Sequence, residues 1–460
     1  MPTPPRSSRS SRPDRRPLPV WALSLGCPKN RVDSERLLGS LAVPVKTVAH
    51  LGHSRLIFIN TCGFIEPAVR ESIRAVLDAA RHAGGLRRRP LLAVAGCMVG
   101  RYGARELAKE LPEVDLWLPT DAMARWPDLV NAALGLVPAP EDSPGAAGGR
   151  LLSTGPSYAW LKIGEGCRHR CAFCTIPAIR GPLRSTPMEA LLAEARCLLA
   201  QGVRELDLVA QDVASWGSDR AAEGTPHLDD LLEALAGLDG LAWLRLLYLY
   251  PTGVTEALLR RMRALGGANG AGGPVLPYLD IPFQHAVPRL LRAMGRPFAG
   301  DPRRVLDRVR GILPDAAIRT TMIVGYPGET GADFTALCRF VEAARFTHLG
   351  VFAYQAEEGT PAAALPDQVP MAVREERRAA LMELQAEISA ENLAGTVGDR
   401  LPVLVDAPEA EWPGLHRGRV WFQAPEADGT TWVSGPGVTP GALVECDIVE
   451  SSAYDLSALA

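Results

Sequence analysis

Short apolar runs alternate with amphipathic stretches along the first third of the chain, from about Val20 to Ala133. Runs at Val20–Leu25, Arg55–Asn60 and Leu91–Ala95 predict strands, and apolar positions three and four apart predict helices over Asp33–Leu41, Ala68–His82 and Ala104–Leu111. A further apolar run spans Val114–Leu118. Strand–helix alternation predicts a parallel sheet covered by helices. The pattern stops at Val137–Arg150, a Pro-, Gly- and Ala-rich stretch that reads as a linker.

Alternation resumes at Tyr158. Strands are predicted over Ala159–Ile163, Glu205–Ala210, Leu244–Tyr250, Tyr278–Phe283, Ile318–Val324 and Leu349–Tyr354. Helices are predicted between and after them over Met188–Ala200, Leu228–Ala236, Thr255–Leu265, Pro302–Ile312 and Gly331–Ala344. Six strand–helix units fit a partial TIM-type (β/α)6 barrel. The run Gly266–Gly273 reads as a flexible loop on it. Met371–Asn392 has the composition of one long connecting helix. Beyond it the texture changes to short runs between Gly and Pro turns, at Leu401–Val405, Gly418–Phe422, Thr431–Val433 and Leu443–Glu450, which predicts a small all-β barrel. The expected fold is therefore α/β, with an N-terminal α/β domain at 19–135, a linker at 136–152, the partial barrel at 153–388 and the β-barrel at 389–460.

Composition narrows the class. The chain has 460 residues, 47% hydrophobic and 22% charged, which excludes wholesale disorder. No run reaches the ~18 apolar residues of a membrane span, so no membrane partner is expected. Residues 1–18 hold five Arg and one Asp without a following apolar segment, and read as a disordered basic leader. Nine cysteines are too few for a disulfide-stapled scaffold, and their odd number cannot all pair. A cytoplasmic location is expected, where spaced cysteines serve metals or catalysis more often than disulfides.

Six of the nine form two triplets. Cys167, Cys171 and Cys174 follow a predicted strand with Cys-x3-Cys-x2-Cys spacing. Three thiolates so close can wrap one iron–sulfur cluster and leave one iron open. The bland alternatives are a zinc knuckle with His169 as fourth ligand, or unrelated thiols. Cys27, Cys62 and Cys97 recur every 35 residues, each at the end of an apolar strand and beside a glycine: Gly26, Gly63 and Gly96. Parallel strands bring such ends to one edge of the sheet, where open α/β sheets hold ligands. One such Cys would read as a packing residue; three in equivalent places read as a second cluster site. Cys197, Cys338 and Cys446 read as packing residues.

The first triplet, with Phe173 before its last Cys, resembles the motif of the radical S-adenosylmethionine superfamily. With the second triplet and the terminal β-barrel, nearly the whole chain resembles the methylthiotransferase family. The stretch Ser24–Glu35, with Pro28-Lys29 where the tRNA-modifying MiaB branch typically has Gln-Met, is similar to the RimO branch. So are Tyr158–Gly166, Arg180–Arg184, Leu244–Pro251, Leu279–His285 and Arg319–Thr330. The resemblance implies two 4Fe-4S clusters, with S-adenosylmethionine as co-substrate and an electron donor such as flavodoxin or ferredoxin. It implies replacement of a C–H on the β-carbon of an aspartate, in protein twelve of the small ribosomal subunit, by a methylthio group. In that scheme the cluster of Cys167, Cys171 and Cys174 generates a radical from S-adenosylmethionine, and that of Cys27, Cys62 and Cys97 presents sulfur.

Candidates for binding S-adenosylmethionine are Phe173 of the cysteine motif and Gln211, Asp212, Gln284 and Gly325, these four chosen with His285 because barrel active sites sit at strand C-terminal ends. Arg180 and Arg184 are candidates to pair with a carboxylate. The terminal barrel resembles the TRAM module, an OB-like RNA binder in the tRNA-modifying relatives. Here residues 392–460 carry ten acids against Arg400, Arg417 and Arg419. That balance repels phosphate backbones, so a basic ribosomal protein rather than RNA is the expected partner. Gln423 stands where relatives are expected to have Asp. The competing readings are a MiaB-type tRNA methylthiotransferase and a non-catalytic RNA- or ribosome-binding protein with structural metal.

Overall fold

The computed structural model describes residues 17–136, 149–220, 226–266, 272–296 and 301–460. The basic leader, most of the linker and most of the Gly266–Gly273 run lie outside these residues. The described residues fall into two compact units, one drawn from the ranges 1–63 and 67–151 and the other from 64–66 and 152–460.

The first unit is a five-stranded sheet of β1 (Leu18–Ser24), β2 (Val45–Thr47), β3 (Leu56–Thr61), β4 (Leu91–Gly96) and β5 (Leu116–Leu118), in the order β2-β1-β3-β4-β5. Every pairing is parallel. Alternation along β3 explains both faces. Ile57 and Ile59 pack with Val69, Val76 and Ala79 on one side, while Leu56 and Phe58 pack with Leu37, Trp126 and Val130 on the other. The sequence pattern predicts β1, β3 and β4 as strands, marks β5 as an apolar run and misses β2, whose three residues are too short to show a period.

In the second unit the six predicted barrel strands are all present: β6 (Tyr158–Lys162), β9 (Glu205–Val209), β10 (Trp243–Leu246), β11 (Val275–Asp280), β12 (Ala317–Val324) and β13 (His348–Ala353). Between β6 and β9 lies a two-residue ribbon of β7 (Gly164–Glu165) and β8 (Arg184–Ser185). The six form one sheet in strict chain order, all parallel, as a partial barrel requires. The predicted strand Leu244–Tyr250 stops at Leu246, because Tyr248 takes a left-handed φ of 61°. The long helix spans Met371–Ala394.

A closed barrel follows, of β14 (Arg400–Pro408), β15 (His416–Arg419), β16 (Thr431–Ser434), β17 (Leu443–Ser451) and β18 (Leu456–Leu459). It packs on the N-terminal ends of the (β/α)6 strands through buried polar groups. Glu205 accepts from Arg245 (2.8 Å) and Arg419 (2.5 Å), and Arg419 also grips Asp406 at 2.8 and 2.9 Å. Tyr278 donates to Asp428 at 2.7 Å, and Asp428 pairs with Arg319. Tyr158 donates to Glu426 at 2.6 Å. Of the ten acids, Asp428 is thus turned inward onto the neighbouring barrel, Asp406 is half-buried against Arg419 of its own barrel, and Glu426, though exposed, is engaged by Tyr158. Gln423 is also internal, accepting from the Val420 N–H and the Thr431 hydroxyl, so it makes no partner contact.

Candidate functional site

In the first unit, Cys62 directly follows β3, Cys97 directly follows β4, and Cys27 caps the helix Pro28–Gly39 three residues after β1. The glycines beside them make room for this convergence. Gly26 sits at φ 89°, and a Cβ on it would lie 2.8 Å from Cys62 Cβ and 2.9 Å from its Sγ. Gly96 sits at φ 100°, where a Cβ would strike Asn60 Oδ1 at 2.3 Å and the Thr61 carbonyl at 2.4 Å. A Cβ on Gly63 would meet the Cys97 backbone at 2.7 Å. Cys97 is buried, and Cys27 and Cys62 are partly exposed at the same sheet edge.

In the second unit, the loop Cys167–Cys174 follows β7 at the C-terminal ends of the strands. Both flanks anchor it. The Ala172 N–H donates to the Met294 carbonyl (3.0 Å), its carbonyl accepts from Ala362 (2.9 Å), and Cys167 N–H reaches Gly181 (3.1 Å). Burial pushes the Cys174 thiol up to about 12, with the neighbouring Cys171 and Cys167 adding to the rise. Burial likewise raises Cys167. Thiols held up in this way bind metal by giving up protons. Among the described residues no group of three or more His, Cys, Asp or Glu is disposed around a single metal ion. A cubane, whose cysteine ligands each bind a different iron, asks for wider spacing than one ion does.

His169 is turned away from any ligand role. Its ring stacks on Tyr250 with centroids 3.5 Å apart, and Nε2 meets Asp212 Oδ2 at 2.7 Å. Asp212 also accepts from the Ala214 and Tyr250 N–H groups (both 3.1 Å) and from the Ser215 hydroxyl. Its carboxylate therefore organises the loop beneath the cysteines. Arg296 lies over Tyr250 at 4.6 Å and over Phe173 at 5.8 Å. Neither Tyr250 nor Arg296 stands out in the sequence, because only the fold brings them to the cysteine loop.

Beside the loop is a largely apolar pocket of about 170 Å³ lined by Phe173, Gln284, Thr321, Ile323, Tyr354 and other residues. Gln284 has a left-handed φ of 72°, fixed by hydrogen bonds of 2.8 Å from its N–H to Thr321 and from Ile323 to its carbonyl. Its buried Oε1 has no hydrogen-bond partner. Strain and an orphaned buried acceptor thus coincide at this residue. Gly325 lies outside the lining: a Cβ there would strike Arg374 Cγ at 2.3 Å, and its N–H donates to Glu329 at 2.9 Å. His285 is buried 3.3 Å from Glu329.

Glu165 is the residue that the sequence reading passes over. Burial acts to raise its carboxyl, but Lys162 and Arg180 outweigh that and hold it at about 2. It accepts from Gln211 at 2.7 Å and from Arg180 at 3.2 Å, leaving the buried Gln211 Oε1 without a partner. Arg180 is thus committed to Glu165, while Arg184 is exposed on the ribbon. The signal in the sequence is an acid in a Gly-Glu-Gly turn three residues after a strand lysine.

Residues 20–119 match the uncharacterized protein family UPF0004, residues 161–341 the radical SAM superfamily, and residues 397–460 the TRAM domain. The ribosomal protein uS12 methylthiotransferase RimO of Nitratidesulfovibrio vulgaris is 62% identical over 442 residues, covering 96% of this chain and 99% of that protein. The protein of the same name from Lawsonia intracellularis is 49% identical over 439 residues, covering 95% and 97%. This chain belongs to the RimO family. Both triplets of this RimO-family chain fall within matched segments, the scattered one in UPF0004 and the contiguous one in radical SAM. The fold is similar to that of the radical S-adenosylmethionine methyltransferase TsrM from Kitasatospora setae (TM-score 0.52, 13% identity, covering 87% of this chain and 77% of that one).

Proposed function

We propose that this chain is a radical S-adenosylmethionine methylthiotransferase acting on ribosomal protein uS12, and that it places the methylthio group on the β-carbon of an aspartate. The observation that carries the reading is likeness to RimO proteins along nearly the entire length of both chains. That likeness spans both cysteine triplets and the terminal barrel.

Cys167, Cys171 and Cys174 would hold one 4Fe-4S cluster and Cys27, Cys62 and Cys97 a second. Donor type, shared strand ends and the glycine clearances of the scattered triplet support both. When bound, these groups supply one-electron chemistry and a sulfur-bearing site, which breaking an unactivated C–H bond demands. The chain's own part is binding and orientation. Phe173 and Ile323 give the pocket an apolar wall suited to an adenosyl group, and Gln284 Oε1 is placed to accept from an exocyclic amine. Gln211 Oε1 is a second orphaned acceptor. Asp212 and Gly325 hold the surrounding loops.

The partner reading rests on what remains exposed of the terminal barrel. Asp399, Glu411, Glu445, Asp447 and Glu450 face solvent, and Leu443 and Val449 flank Glu445 and Asp447 on the exposed face of β17. This surface suits a basic protein and repels RNA. No helix among the described residues is long and apolar enough to cross a membrane, and a cytoplasmic site beside ribosomes follows from the proposed substrate. Flavodoxin or ferredoxin would supply the electron.

The test is mass spectrometry of a peptide from the uS12 target loop, incubated anaerobically with iron–sulfur-reconstituted protein, S-adenosylmethionine and reductant. Gain of one sulfur and one methyl group on aspartate is expected. An unmodified peptide together with methylthiolated tRNA would establish the MiaB-type activity instead. Zinc in place of iron would sink both enzyme readings.

A further inference from the structure

Asn30 lies two residues into the helix that Cys27 caps and is fully buried. Its side chain touches the ends of all three cysteine-bearing strands. Nδ2 donates to the Leu25 carbonyl, two residues before Cys27, at 2.9 Å. It also donates to the Thr61 carbonyl, immediately before Cys62, at 3.0 Å. Oδ1 faces Cys97 Sγ at 3.8 Å. The backbone is clamped as well: the Asn30 carbonyl accepts from Asn60 Nδ2 at 2.7 Å and from Ser34 Oγ at 3.0 Å.

The amide cannot turn over. Rotation would point an acceptor at two carbonyl oxygens and lose both hydrogen bonds, so the two donors fix where the oxygen points. A thiol at Cys97 can donate to that oxygen; a thiolate ligand cannot. Once Cys97 binds iron, the negative end of a fixed dipole therefore stands beside a ligand sulfur. Hydrogen-bond donors to cluster sulfurs raise a cluster's potential. An acceptor held at the same place opposes added electron density and lowers it.

We propose that Asn30 is the positioning residue of the second cysteine triplet: it fixes the spacing of the three strand ends and holds the bound cluster in its oxidised state. This deepens the proposed function and rests on its assignment of a cluster to Cys27, Cys62 and Cys97. Asn30 acts through Cys97 and through the two backbone carbonyls, not on substrate or reacting atoms.

The test uses full-length protein whose Cys167, Cys171 and Cys174 are all replaced by Ala, so that only the second triplet can carry iron. Asn30→Ala should release iron to a chelator at least tenfold faster, the lower end of what losing such an outer-shell partner costs. The midpoint potential of the remaining cluster should move upward. Asn30→Asp keeps the shape, loses both donors to the Leu25 and Thr61 carbonyls and adds negative charge beside Cys97, so it should also release iron faster yet move the potential downward; the opposite signs keep the test open if one variant does not fold. Potentials equal to the parent in both variants, with a lowered melting temperature, would overturn the proposal and leave Asn30 as a structural cross-link. A parent protein that takes up no iron, or loses none on Cys27→Ala, would instead overturn the cluster assignment itself.

Discussion

The two cysteine triplets offer the same chemical donors and are built in opposite ways. Cys167, Cys171 and Cys174 lie in one loop, and its neighbours need only anchor it, as the Met294 and Ala362 hydrogen bonds do. Cys27, Cys62 and Cys97 are separated by two strand–helix units, and nothing local holds them together. Their meeting depends on strand register, with Asn60 opposite Ala95 and Thr61 opposite Gly96, and on glycines that let backbones approach. A contiguous motif carries its geometry in its spacing. A scattered one borrows its geometry from the sheet, and is correspondingly exposed to changes remote from any cysteine.

Gly96→Val puts the largest strain on that contrast. It adds a Cβ 2.3 Å from Asn60 Oδ1 at a φ of 100°, so a destabilisation of about 3–5 kcal/mol is expected from strain and clash together. About half of the roughly eight irons of two cubanes should be lost while S-adenosylmethionine cleavage persists. Retention of all the iron would show that the scattered triplet does not need the close approach. Arg419→Ala sharpens the comparison from the other end of the barrel. It strands fully buried Glu205 and half-buried Asp406 at the terminal-barrel contact, a loss of about 3 kcal/mol read by denaturant unfolding. Both iron sites should remain loaded, since no cysteine is touched.

A pH effect separates the contiguous site from the scattered one more finely. The folded Glu165 carboxyl lies near 2 against an ordinary 4.5, so its ion pairs with Lys162 and Arg180 stabilise above about pH 4.5 and are lost as pH falls towards 2. The full difference corresponds to roughly 3 kcal/mol. Glu165→Gln should flatten that part of the acid-unfolding curve; an unaltered curve would mean that the pairs contribute nothing. The smallest effect is expected at Cys197, which reads in the sequence as a packing residue but is exposed on its helix, outside both triplets. Cys197→Ser should change neither iron content nor melting temperature.

The same contrast explains what the sequence makes legible. All six barrel strands and five of the barrel helices follow from periodicity, because each buries an apolar face whose spacing is local. The cysteines are visible through their donor chemistry and their regular placement. Tyr250, Arg296 and Asn30 are not, because their partners are distant in the chain and only the folded barrel or sheet brings them together. Net charge misleads in a related way. Ten acids give the terminal barrel its negative balance, yet Asp428 faces inward and Asp406 and Glu426 are engaged by Arg419 and Tyr158, which counting residues cannot reveal. Strand ends are likewise hidden where a left-handed residue such as Tyr248 cuts an apolar run short.

The central claim is that the two triplets do separate work, and one reaction tests it. Cys27→Ala protein is incubated with S-adenosylmethionine, reductant and the uS12 peptide, and both methionine release and methylthiolated peptide are quantified in the same sample. Methionine should still form while no methylthiolated peptide appears. Modified peptide at the wild-type level, or loss of methionine formation together with the product, would contradict the division of labour.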